Sequence, residues 1–599
     1  MSNAEVITAN SRLDPASLQV LLSRLAGVAE EMGVVLCRSA FSPNIKERED
    51  CSSAIFTPVG ELLAQAEHIP VHLGAMPASV RAVIERFGDA CRPGDQFVVN
   101  DPFAGGTHLN DVTVVAPCFG RISELMDPSA ISPDESSQLS GQQLLGWVAN
   151  RAHHADLGGA APGSMPADAT EIYQEGLRIP PVGLTDEVVA MIVANSRTPE
   201  ERKGDLDAQI GANICGVSRL AAVVANFSKD FSDIDATSTI SPAQSLKLFA
   251  EVLAYGERRM KAALAALPDG TWQFSDVLDS YGPAPDQQKP STINLSLTIA
   301  GEEITFDFTG TAPAVRGNAN AVRAVTESCV AFALRSATDP SIPANGGTMR
   351  PVRIITLPNS LLAAEPPVAV GAGNVEVSQR IADVCLGALA QVAPDRVGAA
   401  SAGTMNNILI GGDGWVYYET VAAGQGARPT KDGMSGIHTA MTNTRNTPIE
   451  ALERAYPMRV RRLHIRRGSG GKGLYRGGDG IERDLEMLEP ATVSLITERR
   501  QSAPWGLAGG SPGAKGENWL LPNGTPENGT SEDGTLEDGT PEATISLSDE
   551  VTAHSVPHRG QAGTPKAAIP LPDKVTLQVE AGDVIRLLTP GGGGWGPPI

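Results

Sequence analysis

No run of about 18 apolar residues occurs along the 599 positions, so the sequence contains no segment that reads as a membrane span. The N-terminus, MSNAEVITANSRLDP, lacks a basic stretch followed by an apolar one. That excludes a secretory signal of the usual pattern and makes the cytoplasm the expected location. Cysteine is scarce: seven residues, at 37, 51, 91, 118, 215, 329 and 385, contain no CxxC pair. An odd, scattered set gives neither a disulfide framework nor a thiolate zinc site, and it suits a reducing compartment. Positive charge is also in short supply, the formal net charge being −22. Nucleic-acid partners are excluded on that ground, because their binding depends on Lys and Arg neutralising phosphates.

Several catalytic motifs are missing too. The stretch RRGSGGKGLYRGG has no GxxxxGK[ST] spacing, because Gly473 follows Lys472 where Ser or Thr is required. The terminal GGGGWG follows a strand but precedes no helix, so it is no dinucleotide-binding fingerprint. Both stretches read as tight turns and close backbone approach. No GxSxG elbow and no HExxH occur, and no cysteine lies in a nucleophile motif. Among hydrolytic routes, a metal-activated water is the one left.

What is present is a long chain with 63 glycines and 44 prolines spread through it, which predicts a loop-rich globular enzyme of at least two packed units. Leu18, Leu21, Leu22, Leu25, Val28 and Met32 recur at helical spacing from Pro15 to Arg38, with Asp14 or Ser17 as cap. SAIFTPVGELLAQA reads as two strands about a turn, and Pro77 to Phe87 as a helix ending before Gly88. QFVVNDPFAGGTHLNDVTVVAPCF holds a polar, glycine-containing loop between two β-rich runs, a place where reactive side chains tend to sit. LLGWVANRAHH is another strand, separated from that pair by a polar insertion over about 122–142. STINLSLTIAGEEITFDFTGT is a hairpin turning at Gly301. Asn523 to Glu542 repeats an acidic five-residue unit that cannot bury enough surface to offset its ordering entropy.

The expected fold class is mixed α/β (α+β) and multidomain. It comprises an N-terminal metal-site domain over 1–234, a second α+β domain over 235–510, an acidic loop over 511–570, and a C-terminal strand pair with a Gly-rich tail over 571–599.

Five of the nine histidines (His68, His72, His108, His153 and His154) fall within the first 154 residues. Two stand beside carboxylates at ligand spacing: His108 with Asp111 in THLND, and His154 with Asp156 in HHAD. Imidazoles with carboxylates suit Zn, Mn or Fe(II) and leave positions for water. The ordinary alternative for any one of them is a core or turn histidine, but the clustering favours a metal centre. Upstream, Glu47, Glu49, Asp50 and Asp101 are candidate further carboxylates, and spacing does not choose among them. Pro70 breaks the helix that the four-residue separation of His68 and His72 would need. His68, His72, Asp101 and Arg151 are therefore placed on the substrate side.

NIKERED, EHIPVHLG, NDPFAGGTHLNDVTVV, NRAHHADLGG, IPANGGTMRPV, NTRNTPIEALERAYP, GSGGKGLYRGGDG and TPGGGGWG occur in that order. Together they resemble the hydantoinase B/oxoprolinase family over about residue 13 to the end. The resemblance implies a B-type, metal-holding subunit of a hetero-oligomer that opens a cyclic amide, while an A-type partner binds ATP and phosphorylates the substrate. It implies metal ligands at Glu47, His108, Asp111 and one of His153 and His154, with His154 preferred, and orienting or proton-moving roles for His153 or Asp156. The same resemblance leaves room for a ketone carboxylase subunit. Arg151, Asn213, Arg380, Asn443, Asn446 and Glu450 lie among the matched motifs and would face substrate or partner, or serve as buried hydrogen-bonding groups.

Overall fold

The first helix, Pro15–Ser39, starts where the Asp14 carboxylate accepts hydrogen bonds from the amides of Ala16 and Ser17, a cap worth about 1 kcal/mol. Leu18, Leu21, Leu25, Val28, Met32 and Leu36 form its buried stripe. In the computed structural model, which describes residues 13–66, 69–72, 74–121, 142–230, 242–525 and 567–598, this stripe lies on a six-stranded sheet. The insertion over about 122–142 and most of the acidic repeat lie outside the described residues.

The strands of that sheet are β1 (Cys51–Phe56), β2 (Leu62–Ala66), β3 (Phe97–Val99), β4 (Asp111–Arg121), β5 (Gln142–His153) and β6 (Val182–Gly183). They lie in the order β2-β1-β5-β4-β3-β6, and every neighbouring pair is antiparallel. Both faces are covered, and all six residues of β1 are buried. On one face the first helix and the helix Pro199–Asp230 pack over Ile55, Leu63, Ala116 and Val148. On the other, the helix Met76–Phe87 covers Phe56, Val99, Val115 and the fully buried Trp147. Among the described residues one helical stretch, Pro199–Phe227, is long and apolar enough to cross a membrane. Here its buried Asp205, Gln209 and Asn213 make hydrogen bonds within the fold, Gln209 and Asn213 to the sheet.

A second sheet comprises β7 (Gly270–Leu278), β8 (Ser291–Ala300), β9 (Glu303–Asp307) and β10 (Val352–Ile355). Alternate residues of β8 are buried, as expected for a sheet with one face on the core. That face packs on the helices Arg323–Ala337 and Ser378–Val392. The hairpin between β8 and β9 turns at Gly301, which has φ 60°.

The rest is strand-rich: β11 (Asn407–Gly412), β12 (Trp415–Thr420), β13 (Met458–Arg466), β14 (Gly480–Met487), β15 (Ala491–Ile496), β16 (Glu517–Leu521), β17 (Ile569–Leu571), β18 (Lys574–Val579) and β19 (Val584–Leu588). They form two further sheets, β12-β11-β15-β18 and β13-β14-β19-β16-β17. The expected C-terminal strand pair is corrected by this topology: β18 and β19 flank Gly582 but enter different sheets, each finding its ladder partners earlier in the chain.

Beyond β19 the tail threads through glycine-rich segments. The amide of Gly592 donates to Gly478 O, that of Gly593 to Ala400 O and that of Gly594 to Ser511 O. A Cβ on Gly592 would stand 2.1 Å from Gln425 O. Only a residue without a side chain lets these backbones approach so closely.

Candidate metal centre

Asp111 opens β4 and His153 closes β5, and the register sets them directly opposite each other. Successive side chains on a strand point to opposite faces, so opposed residues share one. The face that carries Asp111 and His153 therefore also carries the opposed pair Thr113 and Arg151, and Ser52 opposite Arg151 on β1. Arg151 Nε donates to Thr113 Oγ1 at 2.8 Å, and Ser52 Oγ lies 3.0 Å from His72 Nδ1. His108 enters from the turn just before β4, where Asp111 N donates to His108 O. The loop ahead of it turns through Gly105 (φ 94°), whose Cβ, if present, would lie 2.5 Å from Ala78 O.

The two oxygens of Asp111 do different work. Oδ2 accepts from Thr107 Oγ1 at 2.7 Å and Asn374 Nδ2 at 3.2 Å, and lies 3.4 Å from His72 Nε2. Oδ1 faces His108 Nε2 at 3.0 Å and His153 Nδ1 at 3.4 Å. Asp111 Oδ1, both ring nitrogens of His108 and His153 Nε2 are buried without a hydrogen-bond partner among the described residues. Three donor atoms from His108, Asp111 and His153 lie within 4.8 Å of one another. Two donors each about 2.1 Å from one ion stand roughly 3.0 to 3.4 Å apart. The observed separations match that spacing, so these residues fit a divalent cation.

Burial raises the Asp111 carboxyl, but the His108 and His72 imidazoles outweigh it and hold the group well below the ordinary carboxylate value. Burial lowers His153 to about 3 and lowers His72 as well. Both rings are therefore neutral at pH 7, as metal ligands and bases must be. Asp50, on the same face at the entry to β1, is raised to about 7 by burial, opposed by the Arg48 guanidinium. The charges of Asp111 and His108 act on it directly. Glu49, with φ 53°, makes the turn that leads into this position. Burial also lowers Arg151 to about 10, with the Asp111 carboxylate opposing.

The geometric set differs from the expected one in several places. His154 lies on the opposite face, its Nε2 2.9 Å from Gln209 Oε1, so the strand period admits His153 and turns His154 away. Glu47 ends the helical turn Pro43–Lys46 and is half-buried; neither Glu47 nor Asp50 belongs to the group of His108, Asp111 and His153, although the Asp50 carboxyl feels the charges of Asp111 and His108. Asp156 is held by the Arg197 guanidinium at 2.8 Å and by the amides of Arg197, Gly158 and Gly163, so it braces a loop. Asp101 caps a helical turn and pairs with Arg178 Nε at 2.7 Å, again away from the group. His72 and Arg151 do face Asp111, and His68 lies outside the described residues. Asn213 and Arg380 are buried hydrogen-bonding groups.

Sequence reasoning missed a second layer. The Tyr418 ring stacks on His153 with centroids 4.4 Å apart. Tyr418 Oη donates to Asn407 Oδ1 at 2.9 Å, and Asn407 Nδ2 donates to Glu376 Oε1 at 2.7 Å. Glu376 and Asn374 share a π-helical turn, Gly373–Val377, an irregularity that recurs at functional sites. No signal in WVYYET or GNVEV announces this, because it depends on segments more than 200 residues from His153.

A cavity of about 850 Å3 lies beside the centre. His108, Asp111 and His153 do not line it; Pro70, from the turn that carries His72, does, as does Thr444, 3.2 Å from the Arg48 guanidinium that covers Tyr418.

The profile of the family described as Hydantoinase B/oxoprolinase matches residues 14–598. An uncharacterized protein of Methanocaldococcus jannaschii is 36% identical, over 98% of this chain and 91% of its own length. 5-Oxoprolinase 1 of Arabidopsis thaliana is 34% identical over 100% of this chain, which spans only 43% of that protein. Among solved structures, the ATP-dependent caprolactamase of Pseudomonas jessenii superposes with a TM-score of 0.78 at 25% identity, covering 98% of this chain and 92% of that one. Acetone carboxylase shares the fold, with a TM-score of 0.76 at 19% identity, covering 98% and 76%.

Proposed function

The chain belongs to the hydantoinase B/oxoprolinase family, and from that premise we propose that it is the ring-opening, B-type subunit of an ATP-dependent cyclic amide hydrolase. The observation that carries this reading is the buried His108, Asp111 and His153 group, in which Asp111 Oδ1 and His108 Nε2 face each other without hydrogen-bond partners among the described residues. In this reading Asp50, near enough to feel the charges of Asp111 and His108, completes the set. The chemistry an ion held there supplies is Lewis-acid activation of water at neutral pH.

In this scheme an A-type partner binds ATP and transfers its terminal phosphoryl group to the amide oxygen of the ring. Water then adds to the activated carbon, the carbon–nitrogen bond breaks and the ring nitrogen takes up a proton. A second water releases phosphate and leaves a carboxylate. Neutral His72, fixed through Nδ1 by Ser52 and facing Asp111 Oδ2 through Nε2, orients that carboxylate. Tyr418 and the Asn407–Glu376 pair keep the His153 ring in plane, and Arg151 supplies positive charge beneath Asp111. Residues 1–234 would then form the metal-holding unit, with 235–510 and the C-terminal strands packed around it.

The test is metal analysis of the purified chain, wild type against His108→Ala, joined to an assay with the A-type protein and ATP. Loss of the metal together with loss of coupled ADP and ring-opened product is expected. Full activity of the His108→Ala complex would end the proposal, and labelled bicarbonate appearing in the product would assign the chain to ketone carboxylation instead.

A further inference from the structure

All seven cysteines are free thiols, yet Cys37 Sγ lies 3.4 Å from Cys51 Sγ. Cys91, Cys118 and Cys329 turn their thiols to backbone carbonyl oxygens instead. A disulfide bond is about 2.05 Å long, so the gap to be closed between Cys37 and Cys51 is about 1.4 Å, a distance that side-chain rotation covers.

The two thiols are placed unequally. Cys51 opens β1 opposite Ala152 and is fully buried, packed in one cluster with Ile45, Ala208 and Ala212. Cys37 stands in the last turn of the first helix and is half-buried. Val34, one turn before it, and Phe41, just beyond the helix end, are both exposed. A small oxidant arriving from solvent therefore meets Cys37 first, with Cys51 behind it. An accessible thiol with a second thiol poised beside it is the arrangement of an oxidation site that resolves to a disulfide.

We infer that Cys37 and Cys51 form a reversible oxidation site at which hydrogen peroxide is the oxidant. The Cys37 sulfur attacks one peroxide oxygen, the O–O bond breaks, and the other oxygen leaves as water once it has taken up a proton. Cys37 is then a sulfenic acid. The Cys51 sulfur attacks the Cys37 sulfur, the S–S bond forms, the S–O bond breaks and a second water leaves. In sum two thiols are oxidised by loss of two hydrogen atoms, and one peroxide is reduced to two waters. A small thiol reverses the change by exchange. The two positions are 14 apart in sequence, so the bond closes a short loop. That loop carries Asn44, whose Nδ2 donates to His153 O at 2.6 Å, and Arg48, whose guanidinium covers the Tyr418 ring. Cys51 and Ser52 point to opposite faces of the sheet, so the bond ties down the segment leading into β1 from the side away from the metal-binding group.

The experiment treats the reduced full chain with hydrogen peroxide in the presence of a chelator, blocks the remaining thiols, digests with trypsin without reductant and weighs the peptides. Peptides 25–38 and 49–81, each with one cysteine, should be joined and two hydrogen atoms lighter than their sum, and dithiothreitol should part them. Urea unfolding of the oxidised chain should show a folding constant raised about tenfold to a hundredfold over the reduced one, because the cross-link restricts the unfolded chain. Cys37→Ser should lose both the link and the shift. Cys51→Ala should instead leave Cys37 as a sulfenic acid that dimedone labels, and circular dichroism checks that both variants fold. Wild-type peptides that stay unlinked, Cys51 oxidised as readily in Cys37→Ser as in wild type, or a link that leaves the unfolding curve unmoved would overturn the inference. No readout here needs a metal or turnover, so its failure is distinct from any failure of the metal analysis of His108→Ala.

Discussion

Replacing Asp50 by Asn separates the cost of the centre from its use. Asp50 is fully buried, and burial raises its carboxyl from an ordinary value of 3.8 to about 7. An acid with a folded pKa above its unfolded one binds its proton more tightly in the native state. Its ionisation then costs nothing below about pH 4, costs more with each pH unit above that, and levels off near pH 7. A gap of about 3 at about 1.36 kcal/mol per unit corresponds to about 4 kcal/mol of destabilisation at pH 8 in the metal-free chain. Asn keeps the shape and cannot ionise. In chelator-treated protein, urea unfolding should therefore show Asp50→Asn and wild type alike at pH 4, with the variant gaining steadily to pH 8. A divalent cation should close that gap by stabilising the wild-type carboxylate, while the variant binds it weakly. A stability difference that does not change with pH, or a variant less stable than wild type at pH 8, would refute the electrostatic account of this position.

Other substitutions test the remaining links. His153→Ala should abolish metal retention, whereas His154→Ala should keep the metal and cost about 1 to 3 kcal/mol by leaving the Gln209 amide oxygen unsatisfied; metal content and urea midpoints distinguish the two, and the opposite pattern would reassign the ligand. Gly592→Ala places a methyl group 2.1 Å from Gln425 O and 2.6 Å from Gly426 N, both backbone atoms, so a loss of at least about 3 kcal/mol and a fall in soluble yield are expected. Gly27→Ala is its control: nothing lies within 4 Å in the first helix, and thermal melting should show a gain of about 0.5 to 1 kcal/mol.

The glycine-rich segments that pack too closely for any side chain, Gly424 to Gly426, Gly477, Gly478 and Gly591 to Gly594, contact the walls of the cavity at Gln425, Gly426 and Met434. Backbone approach of this kind makes a wall that is stiff without bulky side chains.

The amino-acid sequence by itself determined the local elements and the chemical inventory. The spacing of Leu18 to Met32, the turn at Gly301 and the alternation along Ser291–Ala300 are periodic signals, and each became the helix or hairpin it implied. The family motifs ran the length of the chain, and HxxD named His108 and Asp111. What only the tertiary structure decided was which neighbour of each pair joins the centre. His153 enters and His154 turns away because strands alternate faces and the register opposes His153 to Asp111. Asp50, just ahead of β1 and two residues before Ser52, feels the charges of Asp111 and His108. β18 and β19 entered separate sheets through partners earlier in the chain, and Tyr418 came to lie on His153, more than 200 residues away. Such pairings carry no local pattern, since their energy comes from packing and hydrogen bonds that exist only once distant strands are side by side.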